Sequence, residues 1–270
     1  MNAQKDLNII GVIPGRMASS RFPGKPLALI NGIPMLGHVF FRCKMSKTLN
    51  QIYVATCDQE IADYCSSIGA EYVMTSDQHE RATERIAEAT DKIEKKTGRK
   101  VDIVVMIQGD EPMTTPDMID EAVKPMLSDL SILVTNLMAP LESREDHEDP
   151  NEVKVVVDQQ SNALYFSREP IPSWKKGGKN IPMLKQVCII PFRRDYLKRF
   201  ITLPATPLEI IESVDMLRVL ENGDKIKMVM TRFESYSVDT PQDLEDVSKA
   251  MKNDPLVRQY PSKSKIPVES

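Results

Sequence analysis

The sequence predicts an α/β fold, a mostly parallel sheet flanked by helices, and three observations carry that expectation. Residues 7–13 and 101–107 are mostly unbroken apolar runs ended by turn residues, the pattern of strands buried on both faces. Strand-like and helix-like segments alternate between them, which implies parallel strands joined by right-handed crossovers. The chain has 270 residues, 41% hydrophobic and 27% charged, enough to bury the core of one large domain.

The elements follow in order. Residues 7–13 form the first strand, and the polar stretch Pro14 to Lys25 leaves its carboxyl end. Asn31-Gly32 makes a tight turn before a helix over 33–46 with Leu36, Val39, Phe40 and Cys43 on one face. Residues 51–56 form a second strand. Asp58 caps a helix that turns Ile61, Tyr64, Cys65 and Ile68 inward and ends at Gly69. Residues 70–74 are a third strand. A polar loop, 75–85, then enters a helix with Ile86, Ala87 and Ile93 on its apolar side. The strand over 101–107 ends in Gln108-Gly109-Asp110-Glu111-Pro112, and Pro116 starts a helix carrying Met118, Ile119, Val123 and Met126. Residues 132–137 form another strand.

From Pro140 the texture changes. Glu142, Arg144, Glu145, Asp146, Glu148 and Asp149 make a charged connector, most simply a solvated loop. Strands over 153–158 and 162–166 pair, and 170–182, with Lys175-Lys176-Gly177-Gly178-Lys179, is a mobile loop. A strand over 187–192 and a short helix over 193–200 follow. One helix then spans 207–223 with Ile210, Val214, Leu217 and Leu220 along a stripe. Strands over 225–230 and 236–239 lead to Thr240-Pro241, which caps a last helix through Met251; the tail beyond Pro255 packs loosely.

Several function classes are disfavoured. A formal net charge of -4, with a single tryptophan at Trp174 outside any aromatic-basic pattern, argues against nucleic-acid binding. Asp6 and Asn8 interrupt any signal-peptide core, and no stretch approaches a membrane span, so a cytoplasmic protein is expected. Cys43, Cys57, Cys65 and Cys188 lack zinc spacing and read as reduced thiols.

Chemistry concentrates at strand ends. The stretch from Pro14 to Lys25 carries three cations (Arg16, Arg21, Lys25), two glycines and the hydroxyls Ser19 and Ser20. It is either a solvated loop or a loop that wraps a polyphosphate at the carboxyl end of a strand. Gly24-Lys25 is followed by Pro26, so it is no Walker A loop, and Gly11 with Gly15 is too little for a dinucleotide fingerprint. Asp110 stands where open α/β sheets place ligands. Asp239 is either a helix cap or its partner in holding one magnesium-type ion beside substrate phosphates. A cationic loop opposite such a pair fits nucleotidyl transfer, in which an oxygen attacks the α-phosphorus and pyrophosphate leaves.

A set of segments, in order, extends this. They are Ile13-Pro14-Gly15-Arg16-Met17-Ala18-Ser19-Ser20-Arg21-Phe22-Pro23-Gly24-Lys25-Pro26-Leu27, Val54-Ala55-Thr56-Cys57-Asp58, Gln108-Gly109-Asp110-Glu111-Pro112, residues 149–156, residues 163–172, and Val238-Asp239-Thr240-Pro241-Gln242-Asp243-Leu244. Together they cover nearly the whole chain, which resembles the 3-deoxy-manno-octulosonate (Kdo) cytidylyltransferase family, the CMP-Kdo synthetases.

The resemblance implies a Rossmann-like nucleotidyltransferase fold as a single domain over 1–270, with an inserted sugar-site and dimerisation segment at about 138–200 and a homodimeric assembly. It implies that CTP and a 3-deoxy-2-ulosonic acid give a CMP-sugar and pyrophosphate with Mg2+, for lipopolysaccharide or capsule synthesis. Carried over by motif, Arg16, Lys25, Asp110 and Asp239 form the catalytic set, with magnesium on the two aspartates. Pro14, Arg16, Ser19, Ser20, Arg21, Lys25, Thr83, Arg85 and Gln108 meet CTP. Gln108, Arg168, Gln186, Ile190, Glu209 and Glu212 meet the acidic sugar.

Departures fall mainly on the sugar side. Gly15 and Met17 replace the usual Ala and Tyr, and Arg81-Ala82 stands where Ser-Gly is usual. Gln186, Cys188, Ile190 and Phe192 occupy a strand whose usual pattern is His-x-Gly-x-Tyr-x-Tyr. A buried polar contact discriminates strongly between hydroxylated ligands, so a modified Kdo-like acceptor is expected. A nucleotidyltransferase for another acidic sugar or a sugar phosphate, and a non-catalytic nucleotide or sugar binder, are the alternatives.

Overall fold

In the computed structural model, which describes residues 7–18, 22–176, 181–233 and 236–261, the chain divides into two units. One comprises Met1–Asp120 with Glu234–Ser270, the other Glu121–Phe233. The first runs β1 (Ile9–Gly15), β2 (Leu29–Ile30), β3 (Ile33–Pro34), α1 (Met35–Cys43), β4 (Gln51–Thr56), α2 (Gln59–Ile68), β5 (Glu71–Met74), α3 (Ala82–Thr97) and β6 (Ile103–Ile107). The unit boundary falls inside α4 (Pro116–Ser128).

β1 lies between two parallel neighbours. Val12 pairs with Tyr53 of β4 on one side and with Met106 of β6 on the other, and β4 pairs in parallel with β5. All five residues of β6 are buried, as are Ile9, Ile10, Val12 and Ile13 of β1. The sequence shows no polar alternation there because both faces are covered. The expected parallel α/β sheet is therefore present, with α3 packed on β1, β4, β5 and β6.

Asn31 and Gly32, with φ of 51° and 84°, turn the β2–β3 hairpin, so α1 starts at Met35 rather than at residue 33. All nine residues of α1 are buried, His38 and Arg42 included, so it has no solvent face. The C-terminal segment covers those polar groups. Arg42 Nε donates to Tyr260 Oη at 2.9 Å, and Arg42 Nη2 pairs with Asp254. Residues 255–261 thus pack through a buried tyrosine rather than loosely; 262–270 lie outside the described residues. α9 (Pro241–Ala250) opens on a reciprocal cap: Asp243 N–H reaches Thr240 Oγ1 at 3.2 Å, and Thr240 N–H reaches Asp243 Oδ2 at 2.8 Å. Among the described residues, 236–239 form no strand. Val238 N–H to the Asp110 carbonyl and Asp239 N–H to Asp243 Oδ2, both 2.9 Å, help to fix their course.

The second unit holds β7 (Thr135–Pro140), α5 (Arg144–Glu148), β8 (Lys154–Val157), β9 (Ala163–Ser167), β10 (Leu184–Val187), β11 (Ile189–Arg193), α6 (Arg194–Phe200), α7 (Pro207–Glu212), α8 (Met216–Glu221) and β12 (Lys227–Met230). Its mixed sheet runs β12-β7-β10-β8-β9, with only the β12–β7 pair parallel. The strand expected over 187–192 is two strands broken at Cys188. The helix expected over 207–223 is two, broken where Ser213 takes φ 53°. Ile210 and Ile211 are consequently 62% and 75% exposed, while Val214 and Leu217 are core.

The charged connector is folded rather than merely solvated. Ser143 Oγ caps α5 by accepting the Asp146 N–H at 3.0 Å. Buried His147 accepts the Trp174 indole N–H at Nδ1 (2.9 Å) and donates from Nε2 to the Ile171 carbonyl (2.8 Å). Within the expected mobile loop, residues 177–180 lie outside the described residues. None of the four cysteines is in a disulfide, and Cys43 and Cys65 are buried. No helix of the described residues is long and apolar enough to cross a membrane.

Candidate active site

The carboxyl ends of β1 and β6 open on one cleft of about 330 Å³, all of it in the first unit. β1 supplies Pro14 and Gly15, and the loop beyond it supplies Arg16, Ala18 and Lys25. The segment after β6 supplies Gln108, Gly109 and Asp110, and the approach to α3 supplies His79, Glu80, Arg81 and Arg85. Asp239 lines it too, with Pro26, Met35 and Ala82. Adjacent parallel strands end on the same side, which is why residues so distant in sequence meet. Gly109 makes the approach possible: a Cβ there would lie 3.0 Å from the Pro14 carbonyl oxygen.

Lys25 joins the two aspartates. Its Nζ donates to Asp110 Oδ2 at 2.7 Å and to Asp239 Oδ1 at 3.1 Å. Burial pushes the ammonium's pKa down, but the Asp110 and Asp239 carboxylates outweigh burial and hold it above the ordinary lysine value. Asp239 does not cap α9, a task that Thr240 performs, and its side chain faces Lys25 instead.

The opening loop is tied down at both ends of its described part. Met17 N–H reaches Asp58 Oδ2 at 2.7 Å, and Gly24 N–H reaches the Met17 carbonyl at 3.0 Å. Asp58 stands at the N-cap position of α2 without capping it, because its carboxylate serves the loop. Ser19, Ser20 and Arg21 lie outside the described residues.

On the α3 side, the expected nucleotide contacts divide. Thr83 is fully buried in the first turn of α3 and does not line the cleft. Arg85 lines it but is only 3% exposed. Its guanidinium donates to Thr75 Oγ1 (2.5 Å) and to the Ser76 and His79 carbonyls (3.1 and 3.4 Å), so it shapes the loop over 75–81. Glu88 holds the same loop through the Ser76 N–H (2.9 Å) and His79 Nε2 (2.5 Å). Partial burial would raise the Glu88 carboxyl; hydrogen bonds from Lys92, Ser76 and His79 prevail and hold it at about 2. His79, Glu80 and Arg81 were missed as site residues. Their signal was the polar run entering a helix at the end of a parallel strand.

The second unit brings Arg168 and Glu212 together. Arg168 N–H reaches Glu212 Oε2 at 2.8 Å and Arg168 Nε reaches the Glu212 carbonyl at 2.7 Å, while Ser167 and Tyr165 hydroxyls donate to Oε1. Gln186 Nε2 donates to Asn136 Oδ1 at 2.6 Å. Ile190 and Glu209, expected at the sugar, are core residues at 2% and 1% exposure. Glu209 is spent on Arg218, with Nε and Nη2 at 2.7 and 2.5 Å from its two oxygens.

The sequence model of the cytidylyltransferase family matches residues 10–226. Over 251 residues the chain is 41% identical to a 3-deoxy-manno-octulosonate cytidylyltransferase of Geobacter metallireducens, covering 89% of this chain and 96% of that one. It is 42% identical over 246 residues to the mitochondrial 3-deoxy-manno-octulosonate cytidylyltransferase of Arabidopsis thaliana, covering 90% and 83%. A solved CMP:2-keto-3-deoxy-manno-octonic acid synthetase complexed with CTP matches at a TM-score of 0.84 and 35% identity, covering 91% of this chain and 98% of that one. A 4-diphosphocytidyl-2C-methyl-D-erythritol synthase from Anaerococcus prevotii, 13% identical with a TM-score of 0.61 over 94% and 100% of the two chains, shares the fold.

Proposed function

The chain belongs to the cytidylyltransferase family, and on that premise we propose that it transfers CMP from CTP to 3-deoxy-manno-octulosonate, releasing pyrophosphate. The observation that carries this reading is the cleft in which Lys25 meets Asp110 and Asp239 beside Arg16. In the reaction a sugar hydroxyl oxygen bonds to the α-phosphorus, the bond to the β-phosphate oxygen breaks, and the hydroxyl proton leaves. Charge gathers on the phosphoryl oxygens, so cations are the main catalytic demand.

Arg16 and Lys25 meet the triphosphate in this reading, with Pro14 and Gln108 beside them and Arg81 as a further cation. Ser19, Ser20 and Arg21, in the same stretch of sequence, are assigned to the triphosphate as well. Asp110 and Asp239 fit a magnesium ion: both offer carboxylate oxygens, and one cation, the Lys25 ammonium, already reaches both. When bound, magnesium supplies charge neutralisation and orients the phosphates. On the sugar side, Gln108 remains as a polar candidate in the cleft. The same reading makes the protein a cytoplasmic homodimer, its assembly to be measured by sedimentation.

Pyrophosphate release from each nucleoside triphosphate with Kdo tests the reaction. Turnover with CTP is expected, with losses of about a thousand-fold or more in Asp110→Asn and Asp239→Asn; no release from CTP and Kdo overturns the reading. A second acceptor class, a modified Kdo-like acid, is favoured by Gln186 and its bond to Asn136. A preference for another sugar acid in the same assay selects it.

A further inference from the structure

Lys25 stands at the point that the two proposed metal ligands share. Its Nζ is 2.7 Å from Asp110 Oδ2 and 3.1 Å from Asp239 Oδ1. Its side chain is 12% exposed, against 30% and 26% for the aspartates, so the lysine is the least exposed member of the cluster. Three assignments meet here: lysine on phosphates, and two aspartates on magnesium. The ammonium stands on carboxylate oxygens that the metal would also use. Magnesium takes oxygen ligands at about 2.0–2.1 Å. An ion on Asp110 Oδ2 and Asp239 Oδ1, the oxygens that the ammonium holds, takes the ammonium's place. Repulsion between the two cations, in a partly buried cleft, disfavours their sharing those oxygens.

We propose that Lys25 is a built-in counter-ion that keeps divalent cations off Asp110 and Asp239 until a nucleoside triphosphate draws its ammonium onto the phosphates, so that nucleotide and metal bind as a coupled pair. The inference rests on the functional reading above for the identity of the metal ligands. Charge gives the exchange its direction. Moving the ammonium to the phosphates lets a divalent ion neutralise both carboxylates, and places positive charge on the leaving group. The backbone at Lys25 is held by Lys25 N–H to Phe22 O (3.2 Å) and Ala28 N–H to Lys25 O (3.1 Å). The exchange is therefore a rotation of the flexible lysine side chain, with the carboxylates staying in place. Val238 N–H bonded to the Asp110 carbonyl keeps the two aspartate-bearing segments in register throughout. Coupling follows by linkage: a triphosphate that removes the competing ammonium tightens metal binding, and the metal tightens the triphosphate by the same factor.

Mn2+ binding to the full chain, measured by electron paramagnetic resonance without nucleotide or sugar, tests this. Lys25→Met keeps most of the stem and removes the charge. The expected result is an increase in Mn2+ affinity of about ten-fold or more, reversed in the double variant Lys25→Met/Asp110→Asn. Unchanged or weaker Mn2+ binding by Lys25→Met overturns the proposal. A measurement on the unaltered protein decides the matter if that variant does not fold. Proton–nitrogen spectroscopy of lysine ammonium groups should show a protected Lys25 signal that moves when CTP is added without metal; a signal that stays in place overturns the proposal. Because the Mn2+ readout uses neither CTP nor Kdo, a Mn2+ gain alongside absent pyrophosphate release supports the exchange while sinking the functional reading.

Discussion

Asp58 and Met17, 41 residues apart, are joined by one hydrogen bond of 2.7 Å from the Met17 backbone to the Asp58 carboxylate. Asp58 N–H in turn reaches Thr56 Oγ1 at 3.1 Å, so the end of β4 holds the start of the opening loop. Without that acceptor, Met17 N–H loses its partner and the loop loses its anchor beside Arg16. Asp58→Ala should raise KM for CTP by about ten-fold, from a bond whose loss costs about 1–3 kcal/mol. Asp58→Asn, which still offers a side-chain oxygen, should recover much of the loss. Steady-state kinetics with saturating sugar checks this; equal KM values in the alanine variant and the parent would remove Asp58 from the loop's support.

Glu209 tests the division between structural and substrate acids. It is 1% exposed and bound through both oxygens to Arg218, whose guanidinium also lies over the Phe200 ring at 4.6 Å. Removing one partner of a buried pair leaves an uncompensated charge, a cost of about 3–5 kcal/mol. Glu209→Ala should therefore lower the urea midpoint steeply, with KM for the sugar unchanged in whatever folds. A variant of parental stability with a raised sugar KM would return Glu209 to the site.

Much of the fold was legible because its signals are local. β1 and β6 read as unbroken apolar runs since parallel neighbours and helices cover both faces. Asp110 was legible because a carboxylate just past such a strand has no core role. Asp239 was ambiguous: a cap and a ligand share the pattern Asp-Thr-Pro, and only Thr240's own bond to Asp243 separates them. The errors came from long-range pairing. Ile210, Val214, Leu217 and Leu220 satisfy a helical period, but the Glu209–Arg218 pair folds the segment back, and periodicity is blind to that bond. The run from Val187 to Phe192 is apolar throughout, so nothing in it marks the break at Cys188. Thr83, Ile190 and Glu209 were placed by motif position, which does not report where a side chain points.

His38 should make stability fall in weak acid. It is fully buried, with Nε2 donating to the Ile30 carbonyl at 2.9 Å and Tyr260, Arg42 and Asp254 around it. Burial chiefly, with the Arg42 charge adding to it, lowers its pKa to about 4 from the ordinary 6.5. Between those values the unfolded chain binds a proton that native His38 refuses. The contribution is intact above pH 6.5 and is lost as pH falls towards 4. At about 1.36 kcal/mol per pH unit the loss amounts to about 3 kcal/mol. Glu88, held at about 2, acts only below its ordinary 4.5. Urea unfolding at successive pH values should show the slope between pH 6.5 and 4 flattened in His38→Gln relative to the parent; parallel curves would refute it.

Gly37 and Tyr64 form a testable pair in the core of the first unit. A Cβ on Gly37 would lie 2.0 Å from Tyr64 Oη, 3.1 Å from Tyr64 Cζ and 3.2 Å from Ile33 Cγ2. The Tyr64 hydroxyl is buried and has no hydrogen-bond partner among the described residues. Gly37→Ala gains about 1 kcal/mol of helix propensity but forces the tyrosine to move, and overpacking of this kind costs about 1–3 kcal/mol. Tyr64→Phe removes an unsatisfied group together with the atom the new methyl would strike. It should be neutral or stabilising by up to about 1 kcal/mol. In the double variant the methyl meets no hydroxyl, so its cost should shrink and the two changes should couple by about 1 kcal/mol or more. Urea midpoints of the parent, both single variants and the double variant close the cycle. Additive effects would mean that the tyrosine gives way elsewhere, and that glycine at 37 is not there for the hydroxyl.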